Sequence, residues 1–177
     1  SSAASDVYKR QVRTQQFYFP NTAILATRFL TQDGVVEVHD FMPLLRPHDD
    51  EHRQRLVRRV QVVRGRADVT TRLAARPEYG RRRPRLERTD AGVLIGGDAV
   101  RLGISATVDL GIDGDDVTAK FHLDAGERAL FVLEVLSDDD VPHACGRDAA
   151  EAFEATSRFW HDWLATSRYR GRWREYV

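Results

Sequence analysis

The sequence predicts an all-β fold: an antiparallel β-sandwich followed by a C-terminal linker helix. Three observations carry this. Short apolar runs, many alternating with a period of two, recur from Thr22 to Leu136. Turn chemistry rich in Gly, Asp and Pro separates them. After Pro142 the apolar period lengthens to that of a helix.

Thr22–Thr31 and Val35–Phe41 form the first pair of strands, joined by Asp33-Gly34, a strong hairpin signal. In the second strand Val36 and Val38 share one face, and Glu37 and His39 the other. A polar segment, Arg46–Gln54, precedes a strand over Leu56–Val63. Gly65-Arg66 reads as a break, with Val69–Ala75 as the hairpin partner beyond it. Pro77, Gly80 and Pro84, among Arg81, Arg82 and Arg83, predict an exposed connection. Strands return at Gly92–Ile95 and Ala99–Ala106 across Gly96-Gly97-Asp98. A last pair, Val117–Leu123 and Ala129–Leu136, is joined by Asp124-Ala125-Gly126-Glu127.

The helix is expected to start at an Asp148 cap with Glu151 three residues on, the spacing of a capping box. Ala149, Ala152, Phe153, Thr156, Trp160, Trp163 and Leu164 then share one side, and the helix ends near Ser167. Gly171 interrupts, and Trp173–Val177 opens an apolar periodicity that does not complete. All three tryptophans, Trp160, Trp163 and Trp173, lie in this C-terminal stretch, where burying each ring is worth roughly 1.5–3 kcal/mol. The sandwich covers some of them as an ordinary helix cover would. The unfinished periodicity points to a further domain that the others face.

Composition narrows the function. The 177 residues, 42% hydrophobic, suffice for one domain with a substantial core. Its 27 basic and 27 acidic residues cancel, so no global field favours nucleic acid or an anionic membrane. Lys9 and Lys120 are the only lysines, and the scattered arginines read as a GC-rich gene rather than a phosphate-binding surface. Cys145 is alone, which excludes an internal disulfide and favours a cytoplasmic setting. No apolar run approaches the ~20 residues of a membrane span. Ser1–Gln11 resembles a translated sequencing adapter and is expected to belong to no fold.

Each candidate for chemistry meets an obstacle in the residues themselves. Asp109, Asp113, Asp115 and Asp116 with Gly111 and Gly114 invite a calcium loop, but the bidentate glutamate position holds Lys120, and Asp113-Gly114 reads as a hairpin turn. His48-Asp49-Asp50-Glu51-His52 has zinc-ligand types at close spacing, yet Pro47 and the polar context make it a solvated loop. Ser105 lacks the glycine spacing of a nucleophile elbow and sits inside a strand. Gly96-Gly97 is not followed by the residues of a phosphate-cradling loop. Glu37 and Asp40 fall on opposite faces of one strand, which separates them as an acid/base pair. No catalytic, cofactor-binding or metal residue is therefore assigned, and no cofactor is expected.

Several segments together resemble the trehalase-like N-terminal domain of glucoamylase- and trehalase-type glycoside hydrolases of family fifteen. They are Gln16-Phe17-Tyr18, Asn21–Phe29, Gly34–Val38, Asp40-Phe41-Met42-Pro43, Arg59–Gly65, Arg76-Pro77-Glu78-Tyr79-Gly80, Phe159-Trp160-His161-Asp162-Trp163 and Tyr169–Trp173. The resemblance implies a large antiparallel β-sandwich over 12–145, a linker helix over 148–167, and the start of an (α/α)6 catalytic barrel at 169–177. It further implies a bacterial parent that hydrolyses α-glucosidic bonds of trehalose, maltooligosaccharides or starch with inversion. Such a parent uses two barrel glutamates about 6.5–9.5 Å apart. Neither falls within this chain, so Glu37, Glu78, Glu134 and Glu151 inherit no catalytic role. The implied partner is the barrel of the same parent chain, with Trp160, Trp163 and Trp173 as inter-domain contacts. An α-glucoside would be met only through that barrel. The competing expectation is a stand-alone carbohydrate-binding sandwich whose exposed aromatic rings stack on sugars. Arginine-driven RNA binding, the third, predicts steep salt dependence.

Overall fold

The structure, a computed structural model, describes residues 13–44, 54–97, 100–137 and 140–167. The Ser1–Gln11 segment, the His48–His52 motif and 169–177 with Trp173 lie outside the described residues.

The expected all-β sandwich is present. Its strands are β1 (Arg13–Tyr18), β2 (Leu25–Leu30), β3 (Gly34–Phe41), β4 (Arg55–Leu73), β5 (Arg85–Thr89), β6 (Gly92–Gly96), β7 (Arg101–Ala106), β8 (Gly111–Asp113), β9 (Asp116–Asp124) and β10 (Arg128–Leu136). Among the described residues one α-helix, α1 (Arg147–Ala165), follows the strands. The main sheet runs β1-β2-β3-β4-β10-β7-β6-β5, all neighbours antiparallel. A second layer, made by the distal half of β4 with β9 and β8, folds over one face.

β4 makes the two layers possible. The expected break at Gly65-Arg66 with a hairpin partner beyond it is not there: a single strand of 19 residues passes through, pairing first with β3 and β10 and then with β9. The register skips Val63 between the pairs Val35–Arg64 and Val36–Val62, which is a β-bulge. One inserted residue reverses facing parity. Val60 and Val62 before the bulge and Ala67 and Val69 after it therefore point into the same core. Gly65, at φ 75°, bends the strand there, and a Cβ would lie 1.9 Å from the Asp33 carbonyl. Glycine thus makes a bend where the sequence suggests a turn.

The core between the layers joins Val36, Val60, Val62, Ala119, Leu123, Ala129 and Phe131, with Phe121 of β9 meeting Phe131 of β10 at 5.8 Å between ring centres. Val93, Ile95, Ile104 and Val117 extend it toward β6 and β7. β9 and β10, which the sequence presents as a joined pair, are not bonded to each other. Each takes one half of β4, and the Asp124–Glu127 connection crosses between layers, held by Val62 bonding Glu127 and Gly126 through the backbone. The Asp33-Gly34 hairpin forms as expected. β1, β5 and the short β8 are strands that the apolar pattern does not announce, since β1 is exposed throughout and β5 is largely exposed.

The other face of the main sheet carries α1. Gly146, in extended backbone, is its N-cap, with no side-chain capping bond, so the expected Asp148 capping box does not form and the helix begins at Arg147. Asp148 already lies in the first turn, whereas a cap must occupy the extended residue before it. The helix ends at Ala165, where Thr166 donates to the Trp163 carbonyl at 2.6 Å.

Candidate interdomain surface

α1 is fixed mainly through Phe153, Thr156 and Ser157 and leaves Phe159 and Trp163 exposed toward its C-terminus. Phe153, 5% exposed, enters a cluster with Ile24, Phe41, Val57 and Val132, residues of the face opposite the sandwich core. Its ring meets Phe19 at 5.6 Å and Phe41 at 5.7 Å, both edge to face. Arg59 of β4 lies over it at 4.1 Å, a cation–π contact. Thr156 and Ser157, one turn on, are also buried. Farther along, His161 Nε2 meets the carbonyl oxygen of Pro20 at 3.1 Å and ties the helix to the β1–β2 corner.

On either side of that tie two aromatic side chains, Phe159 and Trp163, turn outward. Phe159 is 45% and Trp163 53% exposed, with Trp160 half-buried between them. The rings form a ladder, Phe159 to Trp160 at 5.6 Å and Trp160 to Trp163 at 5.8 Å, with interplanar angles of 87° and 84°. Rings so crossed offer edges and faces alternately and make no flat platform. Burial of Phe153 and Thr156 with half-burial of Trp160 and Leu164 follows the helical side expected from the sequence; Trp163 departs from it. Phe159 joins the ladder unannounced, because the period assigns it to no apolar side. Tyr18 and Met42, at the strand ends flanking the β2–β3 pair, are likewise exposed.

The seat of α1 contains the polar groups that the sequence places together on the second face of β3. Glu37 and His39 do share a face, but it is the face under the helix, where His39 is 2% exposed. Burial lowers its pKa, and the neighbouring Arg59 adds to this against the pull of Glu37. Glu37 Oε2 lies 3.2 Å from His39 Nε2 but off the direction of a ring hydrogen bond, so neither ring nitrogen has a hydrogen-bond partner.

The remaining candidates resolve into structural roles. Arg28 holds Glu37 through Nε at 2.8 Å and Nη2 at 2.6 Å. Arg58 grips Asp40 with two hydrogen bonds, so Glu37 and Asp40 are separated by the sheet as expected. Glu134, buried, accepts from Arg55 at 3.2 Å and from the His143 backbone at 2.8 Å. Asp113-Gly114 makes the β8–β9 hairpin, with Gly114 at φ 60°. Hydrogen bonds from Arg76 and Arg72 hold the Asp116 carboxyl below the usual carboxylate range. Ser105 is buried within β7. Burial pushes the Cys145 thiol up to about 11, which leaves it a poor nucleophile. Among the described residues no group of three or more His, Cys, Asp and Glu could hold a metal ion, and no helix is long and apolar enough to cross a membrane.

Among the solved structures to which the chain is similar is one titled "Putative kojibiose phosphorylase from human microbiome", at 7% identity and a TM-score of 0.45. The similarity covers 89% of this chain and 23% of that one. No curated protein matches the chain. A family model described as "Trehalase-like, N-terminal" matches residues 4–160, from before β1 to the ring ladder of α1. A match over so much of the sandwich and its covering helix places the chain in that family: it belongs to the trehalase-like N-terminal domains.

Proposed function

We propose that this chain is the non-catalytic N-terminal domain of an inverting α-glucoside hydrolase, a bacterial, cytoplasmic enzyme acting on trehalose, maltooligosaccharide or starch. Its role is to seat a C-terminal catalytic barrel of the same polypeptide. Trp160 and Trp163, with Trp173 beyond the described residues, make the contact between the two domains. The observation that carries this reading is the Phe159–Trp160–Trp163 ladder, its two end rings exposed, on a helix that Phe153 docks to the sheet. Crossed rings interdigitate with side chains of a protein surface, whereas sugar stacking needs a flat exposed face, so docking is favoured over a stand-alone sugar-binding module. Glu37 and Glu134 are each engaged by arginine, which supports assigning chemistry to another domain.

The test has two arms. Purified chain should release no glucose from trehalose, maltose or starch, and its tryptophan fluorescence should not shift with maltooligosaccharides. Hydrolysis that persists through purification overturns the non-catalytic reading. A saturable fluorescence shift would instead establish the sugar-binding one.

A further inference from the structure

The contact that holds α1 to the sheet is built around a buried, titratable ring. His39 of β3 meets Phe153 of α1 at 5.3 Å and Phe19 of the β1–β2 corner at 6.0 Å. Its cross-strand partner on β4 is Arg59, the residue whose guanidinium covers the same Phe153. Two potential cations therefore stand side by side beneath the apolar anchor of the helix. Arg59 Nε and Thr156 Oγ1, like both His39 nitrogens, are buried without a hydrogen-bond partner. A neutral imidazole fits this seat; an imidazolium would be desolvated beside a like charge.

The surrounding charges relieve it only in part, since burial, with Arg59 added, outweighs them. On β3, Glu37 is the near counter-charge, with Oε2 3.2 Å from His39 Nε2 while Arg28 of β2 holds its other oxygen, Oε1. Asp40, on the opposite face of β3, is bound by Arg58 of β4. Glu154 of α1 and Arg128 of β10 act on Arg59 in opposite directions, the arginine more strongly. On the other side of the ring, the β2 residue paired with His39 is Ala26, which carries no charge.

We propose that the seat of α1 is a proton-sensitive latch, in which protonation of His39 releases Phe153 and frees the helix from the sheet. The sign follows from linkage. The docked state disfavours the imidazolium, so a freed His39, titrating near 6.5, binds the proton that the docked one refuses. Docking is fully present above that pH and weakens as pH falls below it. The latch stands whether or not the outward ladder meets a catalytic domain, because it concerns the chain's own helix and sheet.

Hydrogen exchange of the α1 amides tests it on the whole chain, with rates expressed as protection factors to remove the intrinsic pH dependence. Protection should fall from pH 7.5 to 5.5, by up to about tenfold, the limit for one linked proton. H39F keeps an aromatic ring and removes the proton site, and its α1 protection should be flat over the same range. Unchanged protection in the wild type, or an equal fall in H39F, overturns the latch. Should H39F not fold, imidazole NMR of the wild type decides. Titration of His39 below 6.5 in step with shifts at Phe153 supports the latch, and titration at or above 6.5 with Phe153 unmoved overturns it.

Discussion

Phe153 concentrates the consequences of this fold in one side chain. It joins the aromatic cluster of Phe19 and Phe41 to the guanidinium of Arg59, and it is the apolar side chain of α1 buried in the cluster beneath the helix. Truncation to alanine removes a buried ring that the surrounding strands cannot collapse to replace. F153A should therefore cost about 3–5 kcal/mol by chemical denaturation, with the loss of α1 helicity in circular dichroism. His39 marks the limit of reading at this scale. Its alternation with Val36 and Val38 is plain in the sequence, yet alternation assigns faces without saying what covers them. The sequence leaves the cover of the second face open, and the structure shows that α1 supplies it.

At the scale of elements, β4 decides the architecture. Its bulge at Val63 and bend at Gly65 let one strand serve both layers, with β3 and β10 on one half and β9 on the other. Gly65 has φ 75° and faces Gly34, whose own Cβ position lies 2.4 Å from the Arg64 carbonyl. A side chain at either position must displace backbone. G65A should destabilise the chain by more than about 2 kcal/mol, as the strained conformation and the clash combine. A thermal midpoint within a degree of wild type would show that the crossing of these strands tolerates a methyl group. The sequence marks Gly65 correctly as a special position. It does not separate a bend from a reversal, because both require the same residue, and the choice falls to the partner strands.

In the whole molecule, the sandwich core and the outer part of α1 are energetically separate. The layers are held by Val36, Val60, Val62 and Phe131, whereas Trp163 stands 53% exposed at the far end of the helix. W163S should therefore leave the stability of the isolated chain within about 0.5 kcal/mol of wild type. The same change in a polypeptide that continues into the proposed barrel should lower its melting temperature, the readout of a docking contact. A loss above about 2 kcal/mol in the isolated chain would mean that the ring belongs to the sandwich. By itself the sequence determined the all-β class, the Asp33-Gly34 and Asp113-Gly114 hairpins, the C-terminal helix and the family, because periodicity and turn chemistry are local and survive in a linear reading. Tertiary structure alone decided that β4 is one bent strand, that β9 and β10 part to opposite layers, and that His39 lies under a helix. Those outcomes depend on which distant segment takes each strand edge and sheet face, and no local pattern encodes that choice.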